Sequence, residues 1–376
     1  MSTPWVVVGG GLAGLSTAWN LARDGEEVVV LEERKPGHPG GSSHGRARMT
    51  RSTYGSALYV ELVAEALAQD WPALQAYADR PLITPTPAVF FGPPAGLFGA
   101  FSAATLGTEL PGLTAVDAAE ATARWPELRI ESTDGVILDQ TAGVISAAGA
   151  LDALRRACAA SGVSLRVSAG VRSIEGRADG VRLGAVSGDL IADRVVIAAG
   201  AFTGELLPEL SGVIRPLRQV VGYAAPGAPE APPVNWARLD EGLTYGLPPH
   251  EGDGAKMAGH RLQGPPDDPR GAGPTTPDHR AQLTSTLGHA LRDVPELTRM
   301  ETCLYGVTPT EDPVVGPLAR DPRVTVCAGL SGHGFKLGPL LGRIAARVAQ
   351  GRPTGVSAFD VARSRFAAER PGWPAP

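Results

Sequence analysis

Trp5-Val6-Val7-Val8-Gly9-Gly10-Gly11-Leu12-Ala13-Gly14 is the stretch whose reading decides the fold. A short apolar, β-branched run closed by glycine predicts a buried parallel strand. Helix formers from Leu12 to Arg23 predict a helix, and Glu27 to Leu31 predicts a second buried strand. Between the first two lies Gly9-x-Gly11-x-x-Gly14, the spacing of a dinucleotide fingerprint. Gly9 permits the tight turn, Gly11 lets the backbone approach a pyrophosphate, and Gly14 lets the helix pack against the strand. The N–H groups at the helix start, around Leu12 and Ala13, then face the phosphates. Glu32 closes the second strand, where a carboxylate accepts hydrogen bonds from a ribose diol and repels a 2′-phosphate. The motif by itself leaves FAD and NAD both open.

The chain has 376 residues, 43% apolar and 19% charged, the profile of a soluble globular enzyme. A formal net charge of -5 gives no global basic field for nucleic acid. No apolar run reaches the roughly 18 residues that span a bilayer. The N-terminus lacks the basic start of a secretory signal, so a cytoplasmic protein is expected. Cys158, Cys303 and Cys327 are too few and odd for a disulfide framework, and no metal site is expected. Helices are predicted from Tyr59 to Tyr77, Ile145 to Ser161 and about Pro339 to Gln350. Strands are predicted at Ser164 to Val167, Arg194 to Ala199 and Val324 to Ala328. The Pro- and aromatic-rich LITPTPAVFFGPPAG, from about Pro81, reads as strands joined by tight turns. Nucleotide-type strands at both ends and in the middle imply two domains woven from non-contiguous segments.

Four further stretches carry chemistry. Ser42-Ser43-His44-Gly45-Arg46-Ala47-Arg48-Met49-Thr50-Arg51 packs a histidine and three arginines into one loop. Lys256 and His260 share a face of a strand or helix turn, and Cys303 and Tyr305 share a strand face. Gly332-His333-Gly334-Phe335-Lys336 is a glycine-lined turn ending in a lysine. Taken singly, the first is a solvated basic loop and Cys303 a small buried hydrophobe.

Together with GGGLAG, PLRQVVGY, YGLP, KMAGH and CLYGVTPTEDP, these pieces follow one order along nearly the whole chain. That order resembles the monomeric sarcosine oxidase family of FAD-dependent amine oxidases, which includes N-methyltryptophan oxidase. The resemblance implies an α/β (mixed α+β) fold: a Rossmann-type FAD-binding domain interwoven with a substrate domain built on a mixed sheet. The former would comprise residues 1–80, 141–212 and 320–376, the latter 81–140 and 213–319. It implies a cytoplasmic monomer acting on a small amino acid and O2, with neither nucleic acid nor membrane as partner.

Residue by residue, the resemblance implies covalent FAD, joined to Cys303 through its 8α-methyl. Arg51 and Lys336 would clamp the substrate carboxylate, and Lys256 would serve oxygen reduction. His260 and Tyr305 would line the substrate pocket, with His44 and Arg48 near the flavin ring. Gly9, Gly11, Leu12, Ala13, Gly14, Glu32, Glu33, Arg34, Ser43, Val171, Ala199 and Gly200 would hold the cofactor, with Gly332, His333, Gly334, Phe335 and Lys336 along the ring. The reaction implied is hydride transfer from a secondary, N-methyl or cyclic α-amino acid to flavin N5, giving an imine, with O2 reduced to H2O2. The alternative is a flavin-dependent amino acid dehydrogenase or desaturase acting on a pathway intermediate. Nearby cations are expected to lower the Cys303 pKa toward a reactive thiolate. Tyr54-Gly55 is followed by Ser56, where members acting on sarcosine carry an acid, and Phe202 stands where the family often has Trp. The first departure points away from sarcosine, toward a larger, cyclic or aromatic N-substituted amino acid or an intermediate of a biosynthetic pathway, and the second bears on the flavin surroundings.

Overall fold

Strands Thr3–Val8 and Val28–Leu31 pair in parallel, and Gly9 to Gly11 turn the chain between the first strand and helix Leu12–Arg23. The computed structural model describes residues 3–361 except 261–263, 267 and 269, so the expected cofactor-domain residues 362–376 lie outside the described ones. The parallel sheet continues through Ser164–Arg166 beside Val28–Leu31, and through Leu190–Ile197 and Asp321–Ala328 on the other side. An antiparallel hairpin, Val171–Arg177 and Gly180–Ala185, and the strand Val314–Leu318 complete its eight strands. Val, Ile and Leu on both faces fit a sheet covered on both sides.

One face is covered by helices Leu12–Arg23, Ala147–Ala160 and Gly334–Ala349. Gly338 and Gly342, one turn apart, let the last of these approach the first: a Cβ at either would collide with Leu12 or with Ser16 and Thr17. The second eight-stranded sheet is mixed, as the resemblance implies. It is antiparallel throughout except where Asn235–Leu239 runs parallel to Ala88–Gly92. A small third sheet of Ala47–Thr50, Gly143–Ser146 and Ile83–Pro85 leads into Arg51.

Several element boundaries differ from expectation, each for a physical reason. The helix expected from Tyr59 to Tyr77 is in three pieces: Ala57–Glu65, a π-helical turn at Ala66–Asp70, and Trp71–Gln75. Pro72 has no N–H to give the carbonyl four residues back, so the ladder widens just before it. Ile145 belongs to a strand, and the helix expected there starts at Ala147, where Ser146 caps it by accepting the Gly149 N–H at 3.3 Å. The last helix starts at Gly334 rather than Pro339, because a proline five residues into a helix loses only one ladder bond. Helix Gly96–Leu106, for which no expectation was stated, buries Phe98, Phe101 and Thr105 at helical spacing.

Candidate active site

The glycine turn is shaped for close approach. Gly9 adopts φ +109°, and a Cβ there would strike the Ala198 carbonyl; one on Gly14 would strike the Gly9 carbonyl. Gly11 caps the first helix without a side-chain hydrogen bond, which leaves its start open to an anion. Ser43 Oγ accepts the Leu12 N–H at 3.2 Å. Glu32 Oε2 accepts the Gly10 N–H at 2.6 Å, and Oε1 accepts that of Arg34 at 2.8 Å. Glu33, Arg34, Val171, Ala199 and Gly200 line the same cleft. Arg172 donates to Glu33 at 2.7 Å and holds its carboxyl below the usual range.

A second cavity, about 310 Å³, shares His44, Arg48, Tyr305, Gly332 and Phe335 with that cleft, so the two lie side by side. The residues expected beside a flavin ring therefore stand between a dinucleotide groove and an amino-acid-sized space. Arg48 donates to the carbonyls of Ser42 and His44 at 2.9 and 2.6 Å and lies over the Phe335 ring. His44 faces the Gly41 carbonyl through Nδ1 at 2.7 Å, and burial pushes its imidazole below the ordinary value.

At the far end lie two buried cations, Arg51 at 8% exposure and Lys336 at 7%. Arg51 sits over the Tyr54 ring at 4.1 Å, and the Lys336 ammonium is 5.6 Å from the same ring. Arg51 Nη1 has no hydrogen-bond partner among the described residues. Lys336 is in the first turn of its helix, the positive end of the macrodipole, where a cation is unfavourable unless an anion joins it. Burial, then repulsion from Arg51 and Arg48, holds the Lys336 pKa well below 10.5.

Lys256 and His260 enter the same cavity, as do Cys303 and Tyr305. Lys256 is 7% exposed and donates to the Ala47 carbonyl at 3.2 Å; burial, then Arg48, lowers its pKa to about 7. His260 Nε2 faces Glu311 Oε2 at 3.4 Å. His333 faces the Glu311 carbonyl at 2.9 Å and the Tyr54 hydroxyl at 3.4 Å, and burial followed by Lys336 pushes it down to about 4, so it stays neutral. Cys303 is a buried free thiol, and here expectation needs correction. Arg48 and Lys256 do pull its pKa down, but burial outweighs them and the net shift is upward. Tyr54 and Glu311 were missed as site residues. Tyr54 was read only as a landmark before Ser56, and Glu311 in TPTEDP adopts φ +65°, which no sequence signal announces.

A glycine-turned βαβ cleft beside a cationic cavity defines a dinucleotide-binding protein with a small-molecule site next to the cofactor groove. The chain belongs to the FAD dependent oxidoreductase family, whose pattern matches residues 4–348. N-methyl-L-tryptophan oxidase of Yersinia pestis (strain Pestoides F) is 30% identical over 372 residues, covering 96% of this chain and 99% of the relative. NikD, an unusual amino acid oxidase essential for nikkomycin biosynthesis, superimposes with TM-score 0.81 at 26% identity, covering 96% of each chain. L-proline dehydrogenase from P. horikoshii shares the fold at TM-score 0.81 and 20% identity, over 97% of this chain and 98% of its own. The protein is thus a flavin-dependent oxidoreductase of the amino acid oxidase type.

Proposed function

We propose that this enzyme oxidises a secondary α-amino acid, N-methyl or cyclic, whose carboxylate lies between Arg51 and Lys336. One observation carries the reading: two buried cations share a cavity, and neither forms an ion pair with a carboxylate among the described residues. Desolvated like charges are costly together, so a site that keeps them is built for an anion from outside. An arginine fork and an ammonium suit a carboxylate in both geometry and charge.

Gly9, Gly11, Leu12, Ala13 and Gly14 would hold the FAD pyrophosphate, and Glu32, Glu33, Arg34, Val171, Ala199 and Gly200 the adenosine side. Ser43, His44, Arg48 and the segment Gly332 to Lys336 would border the ring. The fit rests on the two positions, Gly9 and Gly14, where any side chain would collide. When bound, FAD supplies the two-electron acceptor that takes the Cα hydride and hands the electrons to oxygen, leaving imine and hydrogen peroxide. The protein's part is placement and charge. Arg51 and Lys336 fix the carboxylate and so the Cα–H direction. His260, tethered by Glu311, and Tyr305 orient the amine. Lys256, close to neutral pH in its titration, offers a buried positive charge where negative charge grows on oxygen. Cys303 is the residue we propose as the covalent anchor. Its raised pKa means that the thiolate must be drawn out by Arg48 and Lys256 once the cofactor is seated.

The cavity wall beyond the cations, with Tyr54, Phe101, Leu243 and Tyr245, suits an aromatic or cyclic substituent. The test is an oxygen electrode with a panel of N-methyl and cyclic amino acids, alongside anaerobic bleaching of the flavin. Bleaching without oxygen uptake would reject the oxidase half and favour a dehydrogenase; no bleaching by any amino acid would reject the whole reading.

A further inference from the structure

Strand Ala47–Thr50 ends just before Arg51, and residues 51–54 form no ladder, so their backbone N–H groups need other acceptors. Asp139, the last residue of strand Gly135–Asp139, supplies them for Ser52 and Thr53. It is fully buried at 0% exposure. Its Oδ2 accepts the Ser52 N–H at 2.8 Å, the Thr53 N–H at 3.0 Å and the Thr53 hydroxyl at 3.0 Å. Its Oδ1 accepts the Thr141 N–H at 3.0 Å and the Thr141 hydroxyl at 2.6 Å. Thr105 pins the other end of the turn, accepting the Tyr54 N–H and donating to the Tyr54 carbonyl, both at 3.1 Å.

From this geometry we infer that Asp139 is the positioning residue of the carboxylate clamp: it fixes the Arg51–Tyr54 turn so that the Arg51 fork faces the cavity beside Lys336. The inference rests on the clamp reading above. Asp139 touches no substrate; its oxygens are spent on the turn and on Thr141. Both oxygens receive a backbone N–H, and only a carboxylate accepts on both sides. An asparagine must turn its NH2 toward the Ser52 and Thr53 amides or toward the Thr141 amide, donor against donor. Glutamate is longer and would push the turn outward. Arg51 owes its aim to the turn and to the Tyr54, Phe90 and Phe101 rings around its guanidinium.

The test uses the flavin-loaded protein and two probes, indole-2-carboxylate and its uncharged carboxamide, titrated by flavin absorbance. Wild type should prefer the carboxylate by at least about thirtyfold. Asp139→Asn should cut that preference about tenfold or more. Leu138→Ala, one residue along the strand and packed into the opposite core, should lower the melting temperature but leave the preference within about twofold. A general loosening of the fold would weaken both probes alike, so the ratio separates aim from stability. If Asp139→Asn does not fold, Thr53→Val decides, because it removes one bond to Oδ2; it should cut the preference about threefold. A wild-type ratio near one overturns the clamp reading and this inference with it. A large wild-type ratio that survives in the variants overturns the role of Asp139 alone.

Discussion

Replacing Lys336 with methionine should make the ligand-free protein more stable and nearly abolish carboxylate binding. The lysine is buried, stands at the positive end of a helix, and is repelled first by Arg51 and then by Arg48. No carboxylate offsets that cost among the described residues, and substituting an apolar side chain for a buried ion is typically neutral or stabilising by about 1–4 kcal/mol. In a chain of this length that is a rise of a few degrees in melting midpoint. Methionine keeps the length of the side chain, so cavity formation adds little. The ligand sees the opposite sign. Removing one partner of a desolvated charge pair costs about 2–5 kcal/mol, or at least about thirtyfold in Kd. A second signature follows from the depressed pKa: a carboxylate that pairs with Lys336 raises it again, so binding takes up a proton wherever the free lysine is partly deprotonated. Differential scanning calorimetry of the flavin-loaded protein, with and without indole-2-carboxylate, reads the first two effects. Titration calorimetry in two buffers of different ionisation enthalpy reads the third. A variant that melts lower than wild type and binds the carboxylate with unchanged proton uptake would refute the reasoning, since Lys336 would then be a structural cation.

Lys256→Met should slow reoxidation of the reduced flavin by about two to three orders of magnitude while leaving anaerobic bleaching by substrate largely intact, as stopped-flow absorbance would show; equal rates with oxygen would remove Lys256 from that role. The same lysine shapes stability. Its folded pKa of about 7 lies below the ordinary 10.5, so between these values the unfolded chain holds the extra proton and stability rises with pH. Denaturant melts of the oxidised protein from pH 7 to 9 should show a slope contribution approaching 1.4 kcal/mol per unit that Lys256→Met removes, and an unchanged slope in the variant counts against a buried titrating lysine. Mass spectrometry of acid-denatured wild type should find the chain heavier by one FAD, and Cys303→Ala should lose that mass while retaining dissociable flavin. Gly14→Val should yield colourless protein, because the new side chain meets the Gly9 carbonyl; a variant with full flavin content would mean that the turn is not the phosphate site.

The parts of this protein legible in its sequence are those where a residue type answers a local demand. Gly9 and Gly14 could be placed because a tight turn and a close helix tolerate nothing else, and Lys256 with His260 because a spacing of four puts them on one face of a strand or of a helix turn; Lys256 proves to start a strand that ends at Gly259, just before His260. Lys336 was legible as a cation but not as a helix N-terminal one, since Pro339 argued for a later start. The thiol of Cys303 shows the limit of reading charge from neighbours. Arg48 and Lys256 do pull in the expected direction, yet burial, which sequence does not report residue by residue, reverses the net shift. Asp139 marks the far end of that scale. Nothing in the sequence singles it out, and it is joined to Ser52 and Thr53 only through a fold that closes 87 and 86 residues of chain. The proposed clamp would therefore have two layers of different visibility. Cations that touch a ligand stand out because burying them makes no sense without one. The carboxylate that aims them stays hidden, because its partners are backbone amides, which every residue but proline possesses. Second layers of this kind are found by asking where the backbone N–H groups of an irregular segment go, and here the answer runs from Arg51 through two amides to a single buried acid.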